Sequence, residues 1–155
     1  RVVTINSAQL IAQSKRGLAF EESVRNQSEQ LRAQYEGKFS ELRKEAQEFA
    51  QKSKVMSDSA RDARSIELSM KEYDLNHELQ GQQKKLEMAV EQRKQSLQRD
   101  LIGTANRMLE ANDWDVLVDV AAPGVVAFAK NTDVTEQVIA EVDADFTREL
   151  EAKKA

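Results

Sequence analysis

The sequence predicts an α+β chain that is mostly α: a long antiparallel coiled-coil helical hairpin joined to a small β-rich body. Three observations predict it. Residues from Phe20 to Leu109 are rich in Gln, Glu, Lys, Ala and Leu, with no proline before Pro123. Apolar or small residues recur there in steps of three and four. The β-branched runs stand only at the two ends of the chain.

The first element is a strand at Val2-Val3-Thr4-Ile5. The first helix then carries a seam through Val24, Leu31, Tyr35, Phe39, Leu42, Phe49 and Met56. The steps from Leu31 through Tyr35 to Phe39 are two fours in succession, which locally relaxes a left-handed supercoil. A helix from Phe20 to Met56 is about 55 Å long, against a radius of gyration of about 15 Å for a compact chain of this size, so a simple globule is excluded. In Met56-Ser57-Asp58-Ser59-Ala60-Arg61-Asp62, Ser59 and Asp62 have the spacing of an N-cap and its acidic partner, which places a turn near 57–60. Folding about position 59 sets Phe39 beside Leu79, Leu42 beside Leu75, Phe49 beside Leu68 and Met70, and Leu31 beside Leu86. The alternative is one unbroken rod of about 90 residues, near 135 Å.

The second seam runs through Leu68, Leu75, Leu79, Leu86, Val90, Leu97, Leu101 and Met108. Trp114, between Asp113 and Asp115, is expected as a packing anchor. Two further strands are expected at Val116–Val120 and Val125–Ala129, joined by a tight turn at Ala121-Ala122-Pro123-Gly124. Capping residues Asp133 and Glu136 then open an amphipathic helix from about Thr135 to Lys153. A three-stranded sheet with apolar runs on both faces has too little cover in one chain, so assembly of several copies through Val3, Ile5, Val116, Leu117, Val118, Val126 and Phe128 is expected. The predicted domains are a body of 1–19 with 102–155 and an arm of 20–101.

Composition excludes several functions. With no cysteine and one histidine in 155 residues, thiol catalysis, iron–sulfur clusters and multi-histidine metal sites are ruled out. Mean hydropathy is −0.65, with no apolar run long enough to span a membrane, and Arg1 to Asn6 is no secretory leader. A net charge of −4 argues against a nucleic-acid partner. No phosphate loop or Gly-x-Gly-x-x-Gly motif is present. His77, between Asn76 and Glu78, is expected as a surface helix residue, and neither an enzyme activity nor a cofactor is expected.

The order of parts, from Val3-Thr4-Ile5-Asn6 through the coiled-coil hairpin to Asp115-Val116-Leu117-Val118-Asp119 and Thr132-Asp133-Val134-Thr135, resembles the Skp/OmpH family of periplasmic chaperones. The resemblance implies a jellyfish-like homotrimer whose β-rich body comes from the ends of three chains and whose hairpin arms surround a cavity. It implies an ATP-independent holdase for unfolded outer-membrane β-barrel proteins, in the periplasm, with any leader already removed. The best-known members are strongly basic, whereas this chain is acidic. The acidity is concentrated in residues 113–155, which carry four Lys or Arg against ten Asp or Glu.

Within that frame, apolar residues off the paired seam are candidate client contacts: Val55, Met56, Ile66, Met70, Tyr73 and Met88. The alternative is that they complete the hairpin core. Lys52, Lys54, Arg61 and Arg64 form a basic arm tip for weak contact with anionic lipid or lipopolysaccharide, or an ordinary solvated surface. Gly37 and Gly81 fall at the same height in the hairpin and are a candidate hinge, or mark close helix approach or a neutral exposed face. The competing function is a structural or adaptor coiled coil that tethers partners without holding unfolded chains.

Overall fold

The computed structural model describes residues 1–155. Its elements are β1 (Val2–Ile5), α1 (Ser7–Gln13), α2 (Lys15–Lys52), α3 (Asp58–Ala111), β2 (Val116–Asp119) and α4 (Thr135–Lys154), with 3-10 turns at Ser53–Val55 and Lys130–Thr132. The chain divides into two compact units, Arg1–Val24 with Glu91–Ala155, and Arg25–Val90.

The first unit is built around a parallel pair, β1 on β2, with Val3 opposite Leu117 and Thr4 opposite Val118. Parallel strands need a long crossover, and here it is the whole stretch from α1 to α3. Val3, Leu10, Val138 and Val142 are completely or almost completely buried, and Ile5, Leu97, Leu101 and Trp114 pack with them in the same core. Trp114 is the expected anchor, and its position follows from how α3 ends. Asp113 takes φ 55°, the left-handed conformation that ends helices, and the Trp114 N–H donates to the Leu109 carbonyl at 3.1 Å. The indole is thereby turned into the core, against which the half-buried Leu109 also packs.

The expected three-stranded sheet is a two-stranded one. The turn at 120–124 forms, with Gly124 at φ 97°, but Val125–Ala129 pairs with no strand of its own chain. The reason lies at Asp119, whose carboxylate accepts the N–H groups of Ser7 at 3.1 Å and Ala121 at 3.0 Å. That closes β2 onto the start of α1 and turns the chain away from its own edge. On the other side of β1 the neighbour is Asp133, bridged to Thr4.

A break between α1 and α2 is a feature absent from the sequence expectation. Ser14 is fully buried and extended, and its Oγ accepts the Gly17 N–H at 3.0 Å as the cap of α2. Gly17 faces the α1 backbone so closely that a Cβ there would lie 1.8 Å from the Ile11 carbonyl oxygen. α4 follows the expected course. The Asp133 carboxylate receives the Thr135 N–H at 2.9 Å, although no side chain caps from Val134 itself.

The second unit is a helical hairpin formed by the end of α2 and the first part of α3. Its inner seam is buried at Tyr35 and Leu68 and half-buried at Leu31, Phe39, Leu42, Leu75, Leu79 and Leu86. Leu42 and Leu75 line one groove, as expected. The turn itself corrects the expectation in one respect: the cap is Ser57, not Ser59. Ser57 Oγ accepts the Ala60 N–H at 3.2 Å, so α3 begins at Asp58.

Candidate functional site

Within the hairpin unit, twelve Lys or Arg stand against twelve Asp or Glu, so it carries no net charge. Its helices are tied across the seam by Tyr35 Oη donating to Glu78 at 2.9 Å, Lys38 to Glu78 at 3.0 Å and Lys71 to Glu45 at 3.1 Å. Lys38 also lies 4.8 Å above the Tyr35 ring. The Lys38 ammonium and the Tyr35 hydroxyl together outweigh desolvation and hold the Glu78 carboxyl below its usual range.

With the seam so closed, the apolar residues that do not belong to it are left outside. Val55 is 89% exposed, and Ile66, Met70, Tyr73 and Met88 are each at least 59% exposed. Met56 is half-buried in the turn. At about 100° per residue, Ile66, Met70, Tyr73 and Met88 fall within one narrow stripe of α3, on the side opposite Leu68, Leu75, Leu79 and Leu86. Ile66, Met70 and Tyr73 line a shallow groove with Ser65, Ser69 and Asp74. His77 lies in the same stripe one turn beyond Tyr73, its ring parallel to that of Tyr73 within 3° and centred 6.2 Å away.

The four cations around the turn separate into two pairs. Arg61 is spent on the turn: it donates to the carbonyl oxygens of Ser53 at 3.1 Å and Met56 at 3.2 Å and pairs with Asp58 at 3.3 Å. Arg64 pairs with Glu67 at 2.9 Å and Glu45 at 3.6 Å. Lys52 and Lys54 are exposed beside Val55. Gly37 and Gly81 both lie within unbroken helix, and a Cβ at either would meet nothing within 4 Å. Close helix approach is therefore not the reason for either glycine.

In the first unit, the residues expected to join copies fall into two sets. Val3 and Ile5 are buried in the chain's own core, whereas Val116, Val126 and Phe128 are 46%, 97% and 48% exposed, with Leu117 and Val118 between.

The profile of the family Outer membrane protein (OmpH-like) matches residues 1–142. The chain belongs to the OmpH-like family. A solved structure of a candidate OmpH-like outer membrane chaperone from Caulobacter crescentus CB15 matches with a TM-score of 0.86 at 22% identity, over 93% of this chain and 84% of that one. That likeness establishes the OmpH-like fold. Among curated proteins none matches. No helix of this OmpH-like chain is long and apolar enough to cross a membrane.

Two residues of the OmpH-like hairpin take roles other than those expected from the sequence: His77, expected only as a surface helix residue, stands beside Tyr73 in the exposed stripe, and Arg61, expected as a cation of the arm tip, is bound into the turn. His77 was legible from its spacing of four from Tyr73, the distance at which helical side chains become neighbours. Arg61 gave no such signal, because its carbonyl partners depend on where the turn falls.

Proposed function

We propose that this chain is an ATP-independent holdase chaperone of the periplasm that shields unfolded outer-membrane β-barrel proteins from aggregation. The chaperone role of the OmpH-like family supports the reading. The observation that carries it is the exposed stripe of Ile66, Met70, Tyr73 and Met88 on the side of α3 turned away from the hairpin seam. A hairpin that only tethered partners would have no use for four large apolar side chains in water beyond its own core. Methionine adapts to differently shaped neighbours, which suits weak binding of many sequences. The client is held by the sum of such contacts.

Several copies assemble through the first unit as a homotrimer, with Val116, Val126 and Phe128 supplying apolar surface that one chain leaves open. Lys52 and Lys54, with the exposed Val55 next to them, make the weak contact with anionic lipid or lipopolysaccharide. The bend at Gly37 and Gly81 lets the enclosed space follow the size of the client.

The test is to dilute a urea-unfolded outer-membrane β-barrel protein into buffer with the purified chain and no ATP. Turbidity and light scattering then report both client solubility and chaperone mass. The expected result is a trimer that keeps the client soluble, and a variant with Ile66, Met70, Tyr73 and Met88 all changed to Ser that remains trimeric and protects poorly. Full protection by that trimeric variant refutes the assignment of the stripe, and absence of protection by the unaltered protein refutes the function.

A further inference from the structure

The two tyrosines of the hairpin unit are used in opposite ways. Tyr35 is 2% exposed, its hydroxyl committed to Glu78. Tyr73 is 71% exposed, and its only ring partner is His77, one turn along the same helix and itself open to solvent. Two exposed rings stacked in parallel planes with centres 6.2 Å apart form an aromatic shelf along the helix, about 6 Å long by the rise of four residues. Aromatic pairs prefer such offset arrangements, with centroids 4.5–7 Å apart, and gain beyond the area they bury.

The surroundings of the shelf restrict what it can take. Toward the turn it continues through Met70 and Ile66, a soft apolar floor. At its other end Gly81 leaves open space where a side chain would stand. By helical position no charged residue lies on this strip from Ala63 to Gly81, a run of unusual neutrality in a chain that is 32% charged. Asp62 and Asp74 border the strip, and neither forms an ion pair, unlike Asp58 and Glu67 nearby. An uncharged lane with two unpaired carboxylates at its margins complements an uncharged ring carried next to a cation.

We propose that the Tyr73–His77 pair is the point at which the hairpin grips aromatic side chains of an unfolded chain, favouring segments in which Phe, Tyr or Trp stands beside Lys or Arg. The proposal rests on the holdase reading and specifies the chemistry of the client segment that the stripe selects. A client ring lies over Tyr73 or His77, its backbone stays in water, and a neighbouring Lys or Arg faces Asp62 or Asp74. No single grip is strong, which allows release without an energy source.

His77 is the only histidine, so its ring protons give isolated NMR signals in the full-length protein. The experiment titrates that protein with a short Lys-flanked peptide alternating Tyr and Thr, and with the same peptide carrying Leu for Tyr. The expected result is an upfield ring-current shift of the His77 signals with the Tyr peptide, and binding roughly two- to ten-fold tighter than for the Leu peptide. In Tyr73→Leu, which keeps the apolar bulk, that preference disappears. The proposal is overturned by His77 signals that do not move at saturation, by equal affinity for the two peptides, or by a preference that survives Tyr73→Leu. It is also overturned by signals that shift with protein concentration alone, which would mean that a second copy covers the strip. Each of these results leaves client protection by the unaltered protein intact, whereas failure of that protection removes the holdase reading and the proposal with it.

Discussion

Tyr35 and Glu78 meet across the hairpin seam, hydroxyl to carboxylate at 2.9 Å, with the Tyr35 ring buried and Lys38 closing the third side at 3.0 Å from the same oxygen. This is a polar lock set among apolar layers. Desolvation and the Glu78 partner raise the Tyr35 hydroxyl above its ordinary value, while Lys38 and Tyr35 lower Glu78. The two directions give opposite pH limits. A lowered carboxyl stabilises the fold above the ordinary glutamate range and loses that contribution as pH falls through its folded value. A raised phenol stabilises below about pH 10 and loses its contribution as pH rises above that. Tyr35→Phe and Glu78→Gln should each lower Tm at neutral pH, the double variant should lose less than the two losses added, and Tyr35→Phe should lose less at pH 11 than at pH 7. Strict additivity, followed by circular dichroism melts, would show that the lock is not coupled.

Ser57 and Ser59 distinguish two placements of the turn. Ser57 caps α3 through the Ala60 N–H, and the carbonyl oxygens just before it are covered by Arg61. Ser57→Ala should therefore cost about 1 kcal/mol, whereas Ser59→Ala, inside the first turn of the helix, should cost nothing or gain slightly from helix propensity. Arg61→Lys keeps the charge but cannot reach Ser53, Met56 and Asp58 together, so it should destabilise the turn measurably. Urea denaturation of the three variants decides the matter.

How much of this was legible in the sequence follows from the range of the interactions involved. The hairpin, its seam, the Leu42–Leu75 layer and α4 are written in helical periodicity, a local signal repeated many times over. Trp114 as an anchor was likewise visible from its isolation in a chain with one tryptophan. The position of the cap was missed by two residues because Ser57, Asp58 and Ser59 have nearly equal capping chemistry, and only the 3-10 turn at Ser53–Val55 selects among them. Val125–Ala129 has strand composition, but composition cannot specify a partner, and Asp119 ends β2 through contacts made to residues far apart in sequence, Ser7 among them. The role of Gly17 depends on the backbone of α1 passing over it, which no local pattern reports.

Asp145 holds α4 to the rest of its unit. Its carboxylate accepts from Thr104 at 3.0 Å and pairs with Arg107 and Arg148. Desolvation pushes this carboxyl up, but Arg148, Thr104 and Arg107 together outweigh it and leave the value lowered. A lowered folded value means that the unfolded chain binds the proton first, so stability rises with pH through this window. The contribution is complete above about pH 5 and is lost as pH falls below the ordinary aspartate value of about 3.9. Asp145→Asn should lower Tm at pH 7 and flatten its fall between pH 5 and pH 2.5. A variant whose acid melting curve runs parallel to that of the parent would show that other carboxylates govern the acid limit.

Three helical glycines should respond to alanine with opposite signs. At Gly37 and Gly81 a Cβ enters open space, so each replacement should add about 1 kcal/mol of stability by restricting the unfolded chain and favouring helix. The double variant should then gain roughly 4 to 8 °C in Tm for a chain of this size. Gly17→Ala forces a carbon to 1.8 Å from the Ile11 carbonyl oxygen, which is backbone and cannot rotate away. It should lower Tm by more than either other site raises it, and separate α1 from the start of α2. The proposed bend adds a second readout. With Gly37 and Gly81 both replaced, small-angle scattering should narrow the distribution of particle dimensions, and client size should begin to limit protection. A gain in Tm with an unchanged distribution would mean that these glycines only weaken the helices and do not let them flex.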